Sequence, residues 1–150
     1  MARVTRPGGL VAACMWDIAG GGMKMLNMFW QAARELDPNV AGERNRPGVE
    51  AGDLGDRFRG AGLDAVEERA LELSASYEDF SDFWDPFTFA VGPAGQYLAS
   101  LSPQDQAQLR ETCRERLPSG AFSLTARAWY ARGTVVLSTA AGSAQPLGGG

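Results

Sequence analysis

Arg6-Pro7-Gly8-Gly9 leads directly into Leu10-Val11-Ala12-Ala13-Cys14-Met15-Trp16-Asp17, a turn, an unbroken apolar run and then a carboxylate. A short run of this kind, bounded by a turn on one side and a charge on the other, predicts a strand covered on both faces, as inside a parallel sheet. Gly20, Gly21 and Gly22 follow, and after them an apolar stretch with helical spacing. The unit therefore reads as turn, buried strand, loop and helix, one piece of a β-α crossover.

Outward from it, Leu26, Phe29, Trp30, Ala33 and Leu36 recur at i, i+3 and i+4 and predict an amphipathic helix from Met23 to Leu36, stopped by Asp37-Pro38. Residues Asn39 to Gly48 read as a loop. A shorter helix is expected from Val49 to Ala61, burying Leu54 and Phe58 and closed by Gly62. Asp64 to Ser74 reads as a strand at a sheet margin, with Leu71 and Leu73 on an apolar face and Ala70, Glu72 and Ser74 on a partly wet one. From Tyr77 to Pro118 a helical insertion is expected. It is rich in aromatic residues and carries a helix opened by Ser102 as cap and Pro103 as first helical residue. Ser123 to Arg132 reads as the last strand, Thr134 to Leu137 as a run with no evident partner, and the tail from Ser138 as disordered. The domain is thus placed at residues 1–133, with the insertion at about 77–118 and the tail at 134–150.

With 150 residues, 45% of them hydrophobic, the chain is long enough for one domain with a modest core. A net charge of −4 leaves no basic field for nucleic acid. There is no histidine, which removes His-based triads and His metal sites, and no metal site or catalytic residue is assigned. No apolar run approaches the roughly 20 residues a bilayer span requires. Cys14 and Cys113 have no Cys-x-x-Cys partner and read as free thiols of a cytoplasmic protein. Val11-Ala12-Ala13-Cys14 has the form of a lipoprotein cleavage box, but a Pro-Gly-Gly turn precedes it where an apolar segment should stand.

The Arg6-Pro7-Gly8-Gly9 turn before a buried strand resembles the approach to the fifth strand of class I S-adenosylmethionine-dependent methyltransferases. The resemblance runs from Met1 to Arg132. Trp84-Asp85-Pro86-Phe87 and Leu124-Thr125-Ala126-Arg127-Ala128-Trp129 are similar to the small-molecule branch related to ubiquinone and menaquinone biosynthesis. Ala61-Gly62-Leu63 resembles the end of that family's helix before its sixth strand, and Arg3-Val4 the end of a helix begun earlier, which makes Met1 look like an internal position. The fold so implied is α/β, the C-terminal half of a Rossmann-like methyltransferase: a mixed sheet of about three strands with helices and a helical insertion. In that fold the last strand runs antiparallel between the fifth and sixth.

The resemblance implies S-adenosyl-L-methionine as cofactor and methyl transfer to a small molecule, with positioning rather than covalent help supplying most of the acceleration. The Gly-rich turn after a first strand and the acid ending a second, which hold such a cofactor, cannot be placed here. Gly20-Gly21-Gly22 follows the wrong strand and reads as a hinge. This chain is therefore expected to be part of a longer enzyme, inert alone or active only with its missing half. Trp16 and Asp17, at the carboxyl end of the organising strand, stand where ligands bind in open α/β sheets, and the other reading of the pair is core packing and a loop cap. Phe29 and Trp30 read as a core face or a pocket wall. Phe80, Phe83, Trp84 and Phe87 read as a lid over an apolar substrate, or as packing of the insertion on the sheet. A second functional reading is a non-catalytic module that uses the aromatic insertion for an apolar ligand or a partner helix. An outer strand missing beside Leu10–Trp16 exposes an apolar edge and predicts self-association.

Overall fold

The computed structural model describes residues 2–136, a mixed α/β arrangement of three strands and five helices among those residues. After a 3-10 turn at Ala2–Val4 come β1 (Leu10–Trp16), α1 (Lys24–Leu36), α2 (Asp53–Gly60) and β2 (Leu63–Tyr77). The insertion forms α3 (Phe80–Thr88), α4 (Gly92–Ser100) and α5 (Pro103–Glu115), and β3 (Phe122–Val135) closes the order.

Local chemistry sets most of these boundaries. The Asp79 carboxylate accepts from the amides of Ser81 and Asp82 at the start of α3, and the Ser102 hydroxyl accepts from Asp105 N at the start of α5. Gly62, at φ +74°, takes the left-handed turn that ends α2. That helix is shorter than expected: it begins at Asp53, and Val49 is buried from the preceding loop instead.

The sheet order is β1-β3-β2, and both pairings are antiparallel. This corrects the expected mixed sheet. β1 and β2 run in the same direction, but β3 occupies the place between them, so no parallel pair forms among the described strands. β3 also extends past Arg132. Thr134 pairs with Leu10 and Asp64, and Val135 with Leu63, so these two residues belong to the strand rather than to an unpartnered run or a tail. The tail expected from Ser138 lies outside the described residues.

β1 departs from its expectation as well. Val11 is buried and Ala13 and Met15 half-buried, while the alternate residues Leu10, Ala12, Cys14 and Trp16 are exposed. The cause is tertiary. Among the described residues β3 is its sole strand partner, and the loop at Gly48, with Leu54 of α2, packs on one face only, where a Cβ on Gly48 would meet Leu54 and Met15 of β1. The register places Trp16, Ala128 and Leu71 in one row on the opposite face, with Ala126 and Leu73 in the next. Leu71 and Leu73, read as an apolar face, are 39% and 54% exposed.

The main core lies instead between α1, the three insertion helices and the far end of the sheet. Phe29, Phe83, Leu109 and Cys113 have no exposed surface. Phe29 and Phe87 stack with centroids 4.5 Å apart, and Tyr77 of β2 stacks on Phe122 of β3 at 5.1 Å where the sheet enters this cluster.

Candidate functional site

The carboxyl end of β1 is built around Asp17, 1% exposed and joined to a residue distant in sequence. Its Oδ2 accepts from Arg127 Nε at 2.7 Å and lies 2.6 Å from Arg127 Nη2, while its Oδ1 accepts from Gly20 N at 3.0 Å. The backbone repeats the connection: Asp17 N donates to Arg127 O, and Arg127 N donates to Gly22 O. The hydrogen bond and charge of Asp17 raise the pKa of the Arg127 guanidinium, which also sits 3.6 Å from Glu72. Asp17 is thus a latch between the loop after β1 and strand β3, with both oxygens engaged.

The three glycines serve this latch. A Cβ on Gly20 would lie 2.7 Å from Asp17 Oδ1, and one on Gly22 2.8 Å from Arg127 Cβ. Side chains cannot enter a loop wrapped so closely round a carboxylate. The expected hinge is therefore a tight wrap, and its glycines are needed for close approach.

The same geometry tests the cofactor that the resemblance implies. A glycine loop holds a nucleotide-like cofactor when its backbone stands open to the ligand and a carboxylate remains to bind hydroxyls. Here the space at Gly20 and Gly22 is filled by Asp17 and Arg127, and the carboxylate is committed to its own chain. These residues do not fit S-adenosylmethionine.

Trp16, 39% exposed, borders an apolar hollow of about 150 Å³ with Met23, Met25, Leu73, Tyr77 and Leu124. The four aromatic residues expected as a lid lie elsewhere. Phe80, Phe83, Trp84 and Phe87 are all buried in the helical cluster, Phe83 completely. Trp84 and Phe87 also line a separate cleft of about 480 Å³ between α3, α4 and α5, which shares no lining residue with the hollow at Trp16. Phe29 and Trp30 are core residues, and the Trp30 indole N–H donates to the buried Glu43 carboxylate at 3.2 Å.

Sequence reasoning missed Arg127 and Arg110. Arg127 is 110 positions from its carboxylate, and only the strand register brings them together. Arg110 lines the 480 Å³ cleft but looks in sequence like one more cation on a solvated helix face. Among the described residues no group of three metal-ligating side chains occurs, and no helix is long and apolar enough to cross a membrane. Comparison with protein-family models gives no match to this chain, and comparison with curated proteins gives none either.

Proposed function

We propose that this chain is the acceptor-side part of an S-adenosylmethionine-dependent methyltransferase acting on a small molecule, with the cofactor held by residues outside the chain. One observation carries the reading: β3 lies antiparallel between two strands that share a direction, the order that the Arg6-Pro7-Gly8-Gly9 resemblance implies for the end of that fold. The role of the chain is then to shape and dry an acceptor pocket. The Asp17–Arg127 latch fixes the loop at the carboxyl end of β1, and Trp16 walls the adjoining hollow.

The reading also accounts for the bare face of the sheet, where Leu10, Trp16, Leu71 and Leu73 await a cover. The free edge of β1 carries no charge from Leu10 to Trp16, so two copies pair there antiparallel without like charges facing.

Calorimetric titration of the 150-residue chain with S-adenosylmethionine tests the reading, and no saturable heat is expected. Saturable cofactor binding by a monodisperse monomer would overturn it. The coding DNA upstream of Met1 gives a second test: an in-frame glycine-rich strand-turn-helix supports the methyltransferase, and a stop codon close before Met1 supports the binding module. The cleft between α3, α4 and α5 is the observation that favours the latter.

A further inference from the structure

The cleft between α3, α4 and α5 has the makings of a binding site in its own right. Trp84 and Phe87 of α3 and Leu98 of α4 form its floor, Pro103 and Ala107 of α5 a wall, and Arg110 its rim. The floor is held from behind. Phe87 stacks on Phe29 at 4.5 Å and Trp84 on Phe80 at 6.0 Å, so neither ring is free to fall into the space in front of it. A volume of about 480 Å³ sits within the range of pockets for small organic ligands, in which apolar walls supply contact and a few polar groups fix orientation.

The polar groups at the rim are unequally engaged. The Thr88 hydroxyl donates to Asp85 O at 2.7 Å, and the Gln106 side-chain amide donates to Leu101 O at 3.1 Å. Arg110 is the single charged residue in the described lining. Its guanidinium carbon lies 5.1 Å from the centroid of Phe80, and no carboxylate among the described residues stands within ion-pair distance of it. One turn further along the helix, Arg114 also rests on Phe80 but is paired with Glu111 at 3.3 Å. Phe80 thus holds a half-buried guanidinium at the mouth of an apolar cleft, with its hydrogen-bonding fork open to an anion.

From this juxtaposition we infer that the cleft binds a small monocarboxylate with a flat or short hydrocarbon body. The body rests on Trp84, Phe87 and Leu98, and the carboxylate is bridged by Arg110. A carboxylate suits the planar fork because two parallel N–H···O bonds can form at once. The hydrocarbon body suits the floor, which is made mainly of rings and methyl groups. The site is independent of the methyltransferase reading: no strand residue lines it, and it needs neither the cofactor nor the latch at Asp17.

The test titrates the 150-residue chain with octanoate and with its uncharged counterpart octanamide, by calorimetry and by tryptophan fluorescence, without S-adenosylmethionine. Octanoate is expected to saturate in the sub-millimolar range and octanamide to bind at least about ten-fold more weakly, the value of a charge-assisted pair. Arg110→Gln should bring octanoate down to the level of octanamide and leave octanamide unchanged. Arg114→Gln, the same charge change one turn away, should leave octanoate binding within about two-fold. Ala107→Trp, which fills the cleft from an exposed helix position, should remove the binding of both, with circular dichroism reporting retained helix. The inference fails if octanoate does not saturate, if octanamide binds equally well, or if Arg110→Gln has no effect, which would put the ligand on the bare face of the sheet.

Discussion

Where β2 and β3 run into the helices, Tyr77 and Phe122 stack and the insertion closes over them, and Phe83 and Leu109 in that cluster have no exposed surface. Elsewhere on the same sheet, Leu71 of β2 is 39% exposed, Leu73 of β2 54% and Leu10 of β1 61%. Leucine at position 109 and leucine at position 73 are the same residue with the same transfer free energy. What separates them is cover: three insertion helices and α1 stand over one region, and only the first turn of α1, at Met25, borders the other beside Leu73. The two edges of the sheet differ in a related way. β2 carries Asp64, Glu67, Glu68, Arg69 and Glu72 and a register shift between Asp64 and Glu67, features that discourage further pairing. β1 carries none of them. The free edge of β2 is therefore guarded against further pairing and the helical end is closed, whereas the edge of β1 and the face at Leu71 and Leu73 stay open.

The contrast is broken most strongly at its covered end. Phe83→Ala should cost about 3–5 kcal/mol in urea-unfolding stability, since the ring is wholly enclosed, whereas Leu71→Ala on the bare face should cost about 1 kcal/mol or less. Equal losses would mean that the face at Leu71 is covered in solution. Next in size is the latch. Asp17→Asn leaves Arg127 with only the exposed Glu72 as counter-charge and should lower Tm by clearly more than Leu71→Ala but less than Phe83→Ala. A loss no larger than that of Leu71→Ala would show that the Asp17–Arg127 bridge contributes little to the fold.

The open edge gives a third test. Ala12→Lys puts a charge in the middle of β1 at an exposed position and should convert self-associated chain to monomer in sedimentation velocity, with stability changed by no more than about 0.5 kcal/mol. Association that survives the lysine would place the contact elsewhere.

The smallest effect concerns the two thiols, one in each region. Cys14 is exposed on β1, whereas burial, the largest cause, pushes the Cys113 thiol up to about 12. A thiol reagent at neutral pH should label Cys14 promptly and Cys113 only after unfolding. The sign of the pH dependence follows from the same shift. The unfolded chain loses the Cys113 proton near pH 8.5, roughly its ordinary value, while the folded chain keeps it. The stability contribution is therefore complete below that pH and lost as pH rises toward about 12. Tyr77 and Tyr97, both raised by burial, add to the same alkaline fall, so Cys113→Ser should flatten it only in part.

How much of this was legible follows from the range of each interaction. α1 could be read from the spacing of Leu26, Phe29, Trp30, Ala33 and Leu36, and its end from Asp37-Pro38, because periodicity and proline act within one or two turns. The cap at Ser102-Pro103 and the glycine after α2 were equally local. The candidate site was legible only in pieces. Trp16 and Asp17 were placed correctly at the end of β1, but the partner that commits Asp17 lies across the sheet on β3. The aromatic residues of the insertion were recognised as a group. Whether they wall a cleft or fill a core depends on the ring behind each of them.

The sequence by itself determined the elements: an apolar run between a turn and an acid, helical stripes, caps and stops, each written within a few residues. Only the tertiary structure decided which of those apolar faces are covered, that Asp17 is bound to Arg127, and that Arg110 stands over a greasy cleft without a carboxylate partner among the described residues. The physical reason is that hydrophobicity and propensity belong to a residue and its near neighbours. Burial, pairing and the availability of a charge belong to whatever the folded chain brings against it.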